Sequence, residues 1–102
     1  MIELYQASWY QIVFPIESGG SNVADIIDAK LVIYRGLEAK LSLSIGSGLS
    51  FANSQITAIL DELETVNLLG KYRSELWIVD LQNNPLFVRS DEFSFLPTKT
   101  RF

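Results

Sequence analysis

The sequence predicts an all-β fold, an antiparallel immunoglobulin-like β-sandwich of about seven to nine short strands with one short helical turn near 62–68. Three observations lead there. Runs of β-branched and aromatic residues alternate with polar ones at a period of two. Turn-forming clusters, such as Gly46-Ser47-Gly48, Asn53-Ser54 and Gln82-Asn83-Asn84-Pro85, recur at short intervals. The length of 102 residues, 48% of them hydrophobic, provides for one core, so residues 1–102 read as a single domain whose last part, 97–102, is a polar tail.

Taken in order, the first clear strand spans about Ser8 to Ile16 and turns Tyr10, Ile12, Phe14 and Ile16 inward, with Pro15 marking an edge or an end. Glu17 to Asn22 reads as a glycine-containing loop. Ala29 to Tyr34 is the next strand, stopped by Arg35-Gly36, and Lys40 to Ile45 follows with Leu41, Leu43 and Ile45 inward. Leu49 and Phe51 belong to a short strand before the Asn53-Ser54 turn. Residues 56–69 also fit a helical period, but a strand from Gln55 to about Leu60, then a helical turn over Glu62 to Leu68 ended by Gly70, is preferred. Lys71 to Asp80 is the longest strand, with Tyr72, Leu76 and Ile78 on one side and Arg73, Glu75, Trp77 and Val79 on the other. A hairpin leads to Leu86 to Arg89 and then Glu92 to Leu96, where Phe93 and Phe95 share a face. The stretch Ile2 to Gln6 has two readings: a strand of the domain's own sandwich, or one that adds to a neighbour's sheet edge.

Composition excludes much chemistry. Without histidine or cysteine there is no Ser-His-Asp triad, no thiolate nucleophile, no disulfide and no zinc site built on those ligands. A net charge of −4 at pH 7 disfavours nucleic acid, whose phosphates need a positive field. No apolar run approaches the ~20 residues of a membrane helix. The first ten residues lack the positive start of a secretory signal, so synthesis and retention in the cytoplasm are expected.

The remaining clusters have plain structural explanations. Asp61, Glu62 and Glu64 suit a solvated first helical turn better than an acid/base pair or a calcium site, which would alternate Asp and Asn around a glycine. Asp25 and Asp28 suit turns or caps. Gly46-Ser47-Gly48 lacks the Lys-Ser/Thr ending of a phosphate loop. No catalytic, metal or cofactor-binding residue is assigned, and the protein is not expected to be an enzyme. The interface candidates are Trp9, Trp77, Phe87, Arg101 and Phe102, because the chain carries more aromatics than one core needs and exposed aromatics anchor interfaces. For Trp9 and Trp77, core and surface placements both stand.

Several segments resemble small structural proteins of tailed bacteriophages. These are Glu64-Thr65-Val66-Asn67-Leu68-Leu69-Gly70-Lys71-Tyr72, Leu76-Trp77-Ile78-Val79-Asp80, Glu92-Phe93-Ser94-Phe95 and the closing Thr98-Lys99-Thr100-Arg101. Ser90-Asp91 stands where that group has a glycine, and Ser74-Glu75 where it often has Tyr-Asp. The resemblance implies a sandwich similar to the N-terminal domain of phage baseplate upper proteins. It implies a non-catalytic virion component of tail, baseplate, fibre attachment or neck, made in the host cytoplasm. Its partners would be other virion proteins and copies of itself, with no nucleic acid, membrane or small-molecule substrate. The alternative is a carbohydrate-binding β-sandwich module that stacks sugars on exposed aromatics.

Overall fold

A computed structural model describes residues 1–18 and 21–97. Its strands are β1 (Ile2–Tyr5), β2 (Tyr10–Pro15), β3 (Glu17–Ser18), β4 (Ser21–Asn22), β5 (Asp28–Arg35), β6 (Glu38–Ile45), β7 (Gly48–Ala52), β8 (Gln55–Leu60), β9 (Gly70–Val79) and β10 (Pro85–Leu96). One helical turn, α1 (Glu62–Thr65), lies between β8 and β9. The chain is all-β, with the short helical turn inside the expected stretch.

Eight strands form one sheet in the order β1-β10-β9-β5-β6-β7-β8-β2, and β3 and β4 make a small separate ribbon. The sheet is mixed rather than purely antiparallel: β1 runs parallel to β10, with Ile2 beside Phe93 and Tyr5 beside Leu96. The stretch Ile2 to Gln6 is therefore a strand of the chain's own sheet, prolonged by the Gln6 amide donating to Leu96 O at 2.9 Å. The second parallel contact, Ser44 beside Gly48 and Ile45 beside Leu49, joins residues four apart in sequence. It is a corner in one continuous path rather than a lateral pairing.

At this corner Ser44 and Ser47 exchange both backbone hydrogen bonds (3.1 and 2.9 Å), and Gly46 N–H donates to Leu49 O at 3.0 Å. Both glycines have positive φ, +81° at Gly46 and +98° at Gly48, where an L side chain is strained. A Cβ on Gly48 would also lie 2.6 Å from Leu43 Cδ2. The corner divides the sheet into a five-stranded wing (β1, β10, β9, β5, β6) and a three-stranded wing (β7, β8, β2). The layers of the expected sandwich are thus two wings of a single curled sheet.

The inner faces of both wings share one core. Ala29, Leu31, Ile33, Leu43, Tyr72, Leu76, Ile78, Phe93 and Phe95 come from the larger wing, and Phe14, Leu49, Ile56, Ala58 and Leu60 from the smaller. Contacts across the opening include the Arg89 guanidinium 5.3 Å from the Phe14 ring centre. Tyr72 meets Phe95 edge to face at 5.7 Å between centroids. Ile45, expected inward, is exposed because it sits in the corner. The two expected C-terminal strands are one, β10, which holds its ladder with β9 through a bulge between Phe87 and Arg89.

The turns follow residue chemistry. Asn53 and Ser54 both take positive φ (52° and 59°), as a two-residue hairpin connection requires. Asp80 Oδ1 accepts from the amides of Gln82 (3.0 Å) and Asn84 (2.8 Å) and so builds the β9–β10 connection. The β1–β2 link is clamped onto α1. Thr65, fully buried, accepts from Ser8 N–H at 3.0 Å and donates its hydroxyl to Ser8 O at 2.8 Å.

Three stability outcomes follow from this structure. Gly48→Ala is expected to lower unfolding free energy by ~1–3 kcal/mol through backbone strain and the Leu43 clash. Thr65→Val, which removes the partner of both backbone polar groups of Ser8, is expected to cost ~1–3 kcal/mol. Leu63→Ala, on the solvent side of α1, should change stability by less than ~0.5 kcal/mol. Urea titrations followed by tryptophan fluorescence measure all three.

Candidate interaction surfaces

Both tryptophans lie at the surface, on different wings. Trp77 projects from the outer face of β9, 38% exposed, and Phe87 from β10, 51% exposed. The β9–β10 register sets them side by side, and their rings meet edge to face at 5.4 Å between centroids. The bulge after Phe87 lets the next residues change faces, so Arg89 stands opposite Leu76 while Phe87 stays opposite Trp77.

Around this pair the outer face is mixed. Lys30 sits across from Trp77 on β5, and Val32, diagonal to Trp77, is only 6% exposed although it faces outward. Further along, Arg73 lies over the Tyr34 ring at 4.8 Å and pairs with Glu75 at 2.9 Å. Tyr34, Lys71, Arg73 and Glu92, with Met1 and Gly36, line an open groove of about 360 Å³. The larger wing thus presents aromatic rings among charges of both signs.

The smaller wing carries no charge. Residues 4–16 and 41–60, which supply β2, β7, β8 and most of β6, contain no Asp, Glu, Lys or Arg. Its outer face shows Trp9 (51% exposed), Val13 (44%) and Ile59, with Gln11 paired opposite Ile59. Sequence reasoning picked Trp9 and Trp77 for their type but missed this neutral surface. Its signal was present as two charge-free stretches that become neighbours only through the β2–β8 ladder.

The acidic clusters serve the backbone. Asp61 Oδ1 accepts from Glu64 N–H at 2.8 Å, and Glu64 Oε1 accepts from Asp61 N–H at 3.0 Å, a reciprocal capping box. Asp25 and Asp28 each accept from the following amide at 2.8 Å. Among the described residues no group of three or more acidic side chains is gathered to hold a metal, and no helix is long and apolar enough to cross a membrane. Arg101 and Phe102 lie outside the described residues, so only Trp9, Trp77 and Phe87 of the expected interface set are placed.

No protein-family model and no curated protein matches this sequence. Among solved structures, the fold is similar to part of a protein from Bacteroides vulgatus ATCC 8482 described as a "putative glycoside hydrolase". The TM-score is 0.58 at 14% identity. The likeness covers 96% of this chain but only 17% of the other, so this chain spans about a sixth of that protein.

The Trp77–Phe87 contact should register in a double-mutant cycle. Trp77→Ala and Phe87→Ala are expected to be coupled by ~0.5–1.5 kcal/mol in unfolding free energy, the usual worth of an aromatic pair beyond its buried area. Trp9→Ala, whose ring has no aromatic partner among the described residues, is expected to leave stability within ~0.5 kcal/mol.

Proposed function

We propose that the protein is a non-catalytic structural component of a bacteriophage virion, working in the tail, baseplate, fibre attachment or neck through contacts with other virion proteins and with copies of itself. The observation that carries the assembly reading is the charge-free three-stranded wing, which exposes Trp9 and Val13 beside an open sheet edge. Exposed apolar and aromatic groups without intervening charge suit desolvation against another protein. The location in a virion rests on the resemblance of residues 64–72, 76–80, 92–95 and 98–101 to small phage structural proteins. The lack of histidine and cysteine fits a role in which geometry, not reactivity, does the work.

A second reading, a carbohydrate-binding module, is favoured by the other surface. Trp77 and Phe87 are exposed beside Lys30 and Glu75, the combination of aromatic and hydrogen-bonding groups that sugars use. The Bacteroides vulgatus structure, whose fold this chain shares over 17% of its length, is described as a "putative glycoside hydrolase", which also favours a link to sugars.

Quantitative mass spectrometry of purified particles separates the readings. A copy number matching a ring or fibre symmetry is the expected outcome, and absence from particles would refute the virion role. Titration with glycans, followed by tryptophan fluorescence, is expected to give no saturable change; a saturable change lost in Trp77→Ala would establish the sugar-binding reading instead.

A further inference from the structure

We propose that β2 is a dimerisation strand: two copies of this chain join edge to edge by antiparallel β2–β2 pairing about a twofold axis at Ile12. The inference deepens the assembly reading by naming the partner, and it stands on the sheet geometry whether or not the protein resides in a virion.

The backbone of β2 is offered for pairing. Ile16 N–H donates to Ser54 O at 2.9 Å, and the β2–β8 register places Phe14 opposite Ile56 and Ile12 opposite Ala58. Even-numbered residues therefore bond to β8, and the amides and carbonyls of Gln11 and Val13 point the other way, where no described strand lies. Pro15 occupies a position whose missing N–H would also face outward, so it leaves the β8 ladder whole.

Comparison with the other edges shows what β2 lacks. β1 is four residues long, carries Glu3 within it, and its Tyr5 amide is taken by the Tyr10 hydroxyl at 2.7 Å. The stretch of β10 beyond β1 begins at Pro85, bulges after Phe87, and carries the Arg89–Asp91 pair (both contacts 2.8 Å) and Glu92. Short length, proline, bulges and charges are the devices that prevent edge pairing. β2 has only Pro15 at one end, and residues 4–16 contain no charge.

Charge selects a second copy as the occupant. Each chain carries −4, so two copies repel except where neither presents charge, and among the described residues the outer face of the smaller wing meets that condition, the Arg89 guanidinium near Phe14 coming from the other wing on the core side and being paired with Asp91. The register is constrained too. Pairing centred on Ile12 sets Gln11 opposite Val13 of the second copy, joins their outward amides and carbonyls in four hydrogen bonds, and lays Trp9 against Pro15 of the second copy. A shift of two residues one way opposes proline, which has no N–H, to Gln11. The opposite shift brings Ala7, with φ of 55°, into the ladder.

Sedimentation velocity of the full chain from about 1 µM to about 1 mM tests this, a range suited to an interface below about 1,200 Å². The expected result is a concentration-dependent shift from 11.5 kDa to twice that mass. Val13→Lys and, as a milder exposed change, Gln11→Lys should each weaken association on the order of a hundredfold while far-UV circular dichroism stays that of the native sheet. Because the chain has no cysteine, mixing Gln11→Cys with Val13→Cys should give oxidised heterodimers in excess of either homodimer, which reports the register.

A wild-type chain that remains at 11.5 kDa throughout overturns the proposal, and if a chain ending at Pro97 then dimerises, the tail is the occupant of the edge. A dimer unaffected by both lysine variants but lost in Trp77→Ser/Phe87→Ser also overturns it and moves the interface to the larger wing. Dimerisation without incorporation into particles would refute the virion role and leave the β2 interface standing.

Discussion

The inner faces of both wings reach a common core because the path turns sharply between Ser44 and Leu49. An open sheet of eight strands would leave one large apolar face in water. The corner folds the smaller wing over the larger, so Phe14, Ile56 and Leu60 can meet residues of the five-stranded wing. Two glycines at positive φ make the turn, and at Gly48 the absence of a Cβ also lets Leu43 pack against the backbone. The relative placement of the two surfaces follows from this turn.

With the core closed, the outer faces become free to specialise. The larger wing is studded with Lys30, Arg73, Glu75 and Glu92 around Trp77 and Phe87, whereas the smaller wing shows only uncharged side chains. A mixed polar and aromatic surface can hold small polar ligands or form the rim of an interface. A neutral one has little to lose when water is removed. The assembly reading rests on the second surface and the sugar-binding reading on the first.

The two terminal regions of the described chain contribute differently to the sheet's borders. β1 lies parallel to β10 and covers its last residues, Phe93 to Leu96, leaving the preceding part protected by a bulge and an Arg–Asp pair. β2, only a short link away and anchored through Ser8 and Thr65 to α1, borders the other wing without such protection. A single N-terminal segment therefore forms both borders of the sheet, one guarded and one with no described strand beyond it.

Period-two alternation was enough to assign the inward set Tyr10–Ile12–Phe14 and to group Tyr72–Leu76–Ile78 and Phe93–Phe95 each on one face, because side chains on a strand alternate whatever its neighbours are. Turn chemistry located Asn53-Ser54 and the Gln82-Asn83-Asn84-Pro85 turn for an equally local reason, while the part Asp80 plays in that connection came from the structure. The absence of histidine and cysteine removed whole classes of chemistry without any coordinates. Strand partners were not legible: a strand's sequence carries its pattern but not the identity of the strand beside it. Hence the parallel β1–β10 pairing, the one-strand continuity of β10 and the exposure of Ile45 at the corner emerged only in three dimensions. The same holds for the candidate surfaces. Residue type alone singled out Trp9, Trp77 and Phe87. Only the β9–β10 register could join two of them, and only the β2–β8 ladder could gather two distant charge-free stretches into one neutral wing, because both depend on long-range hydrogen bonding.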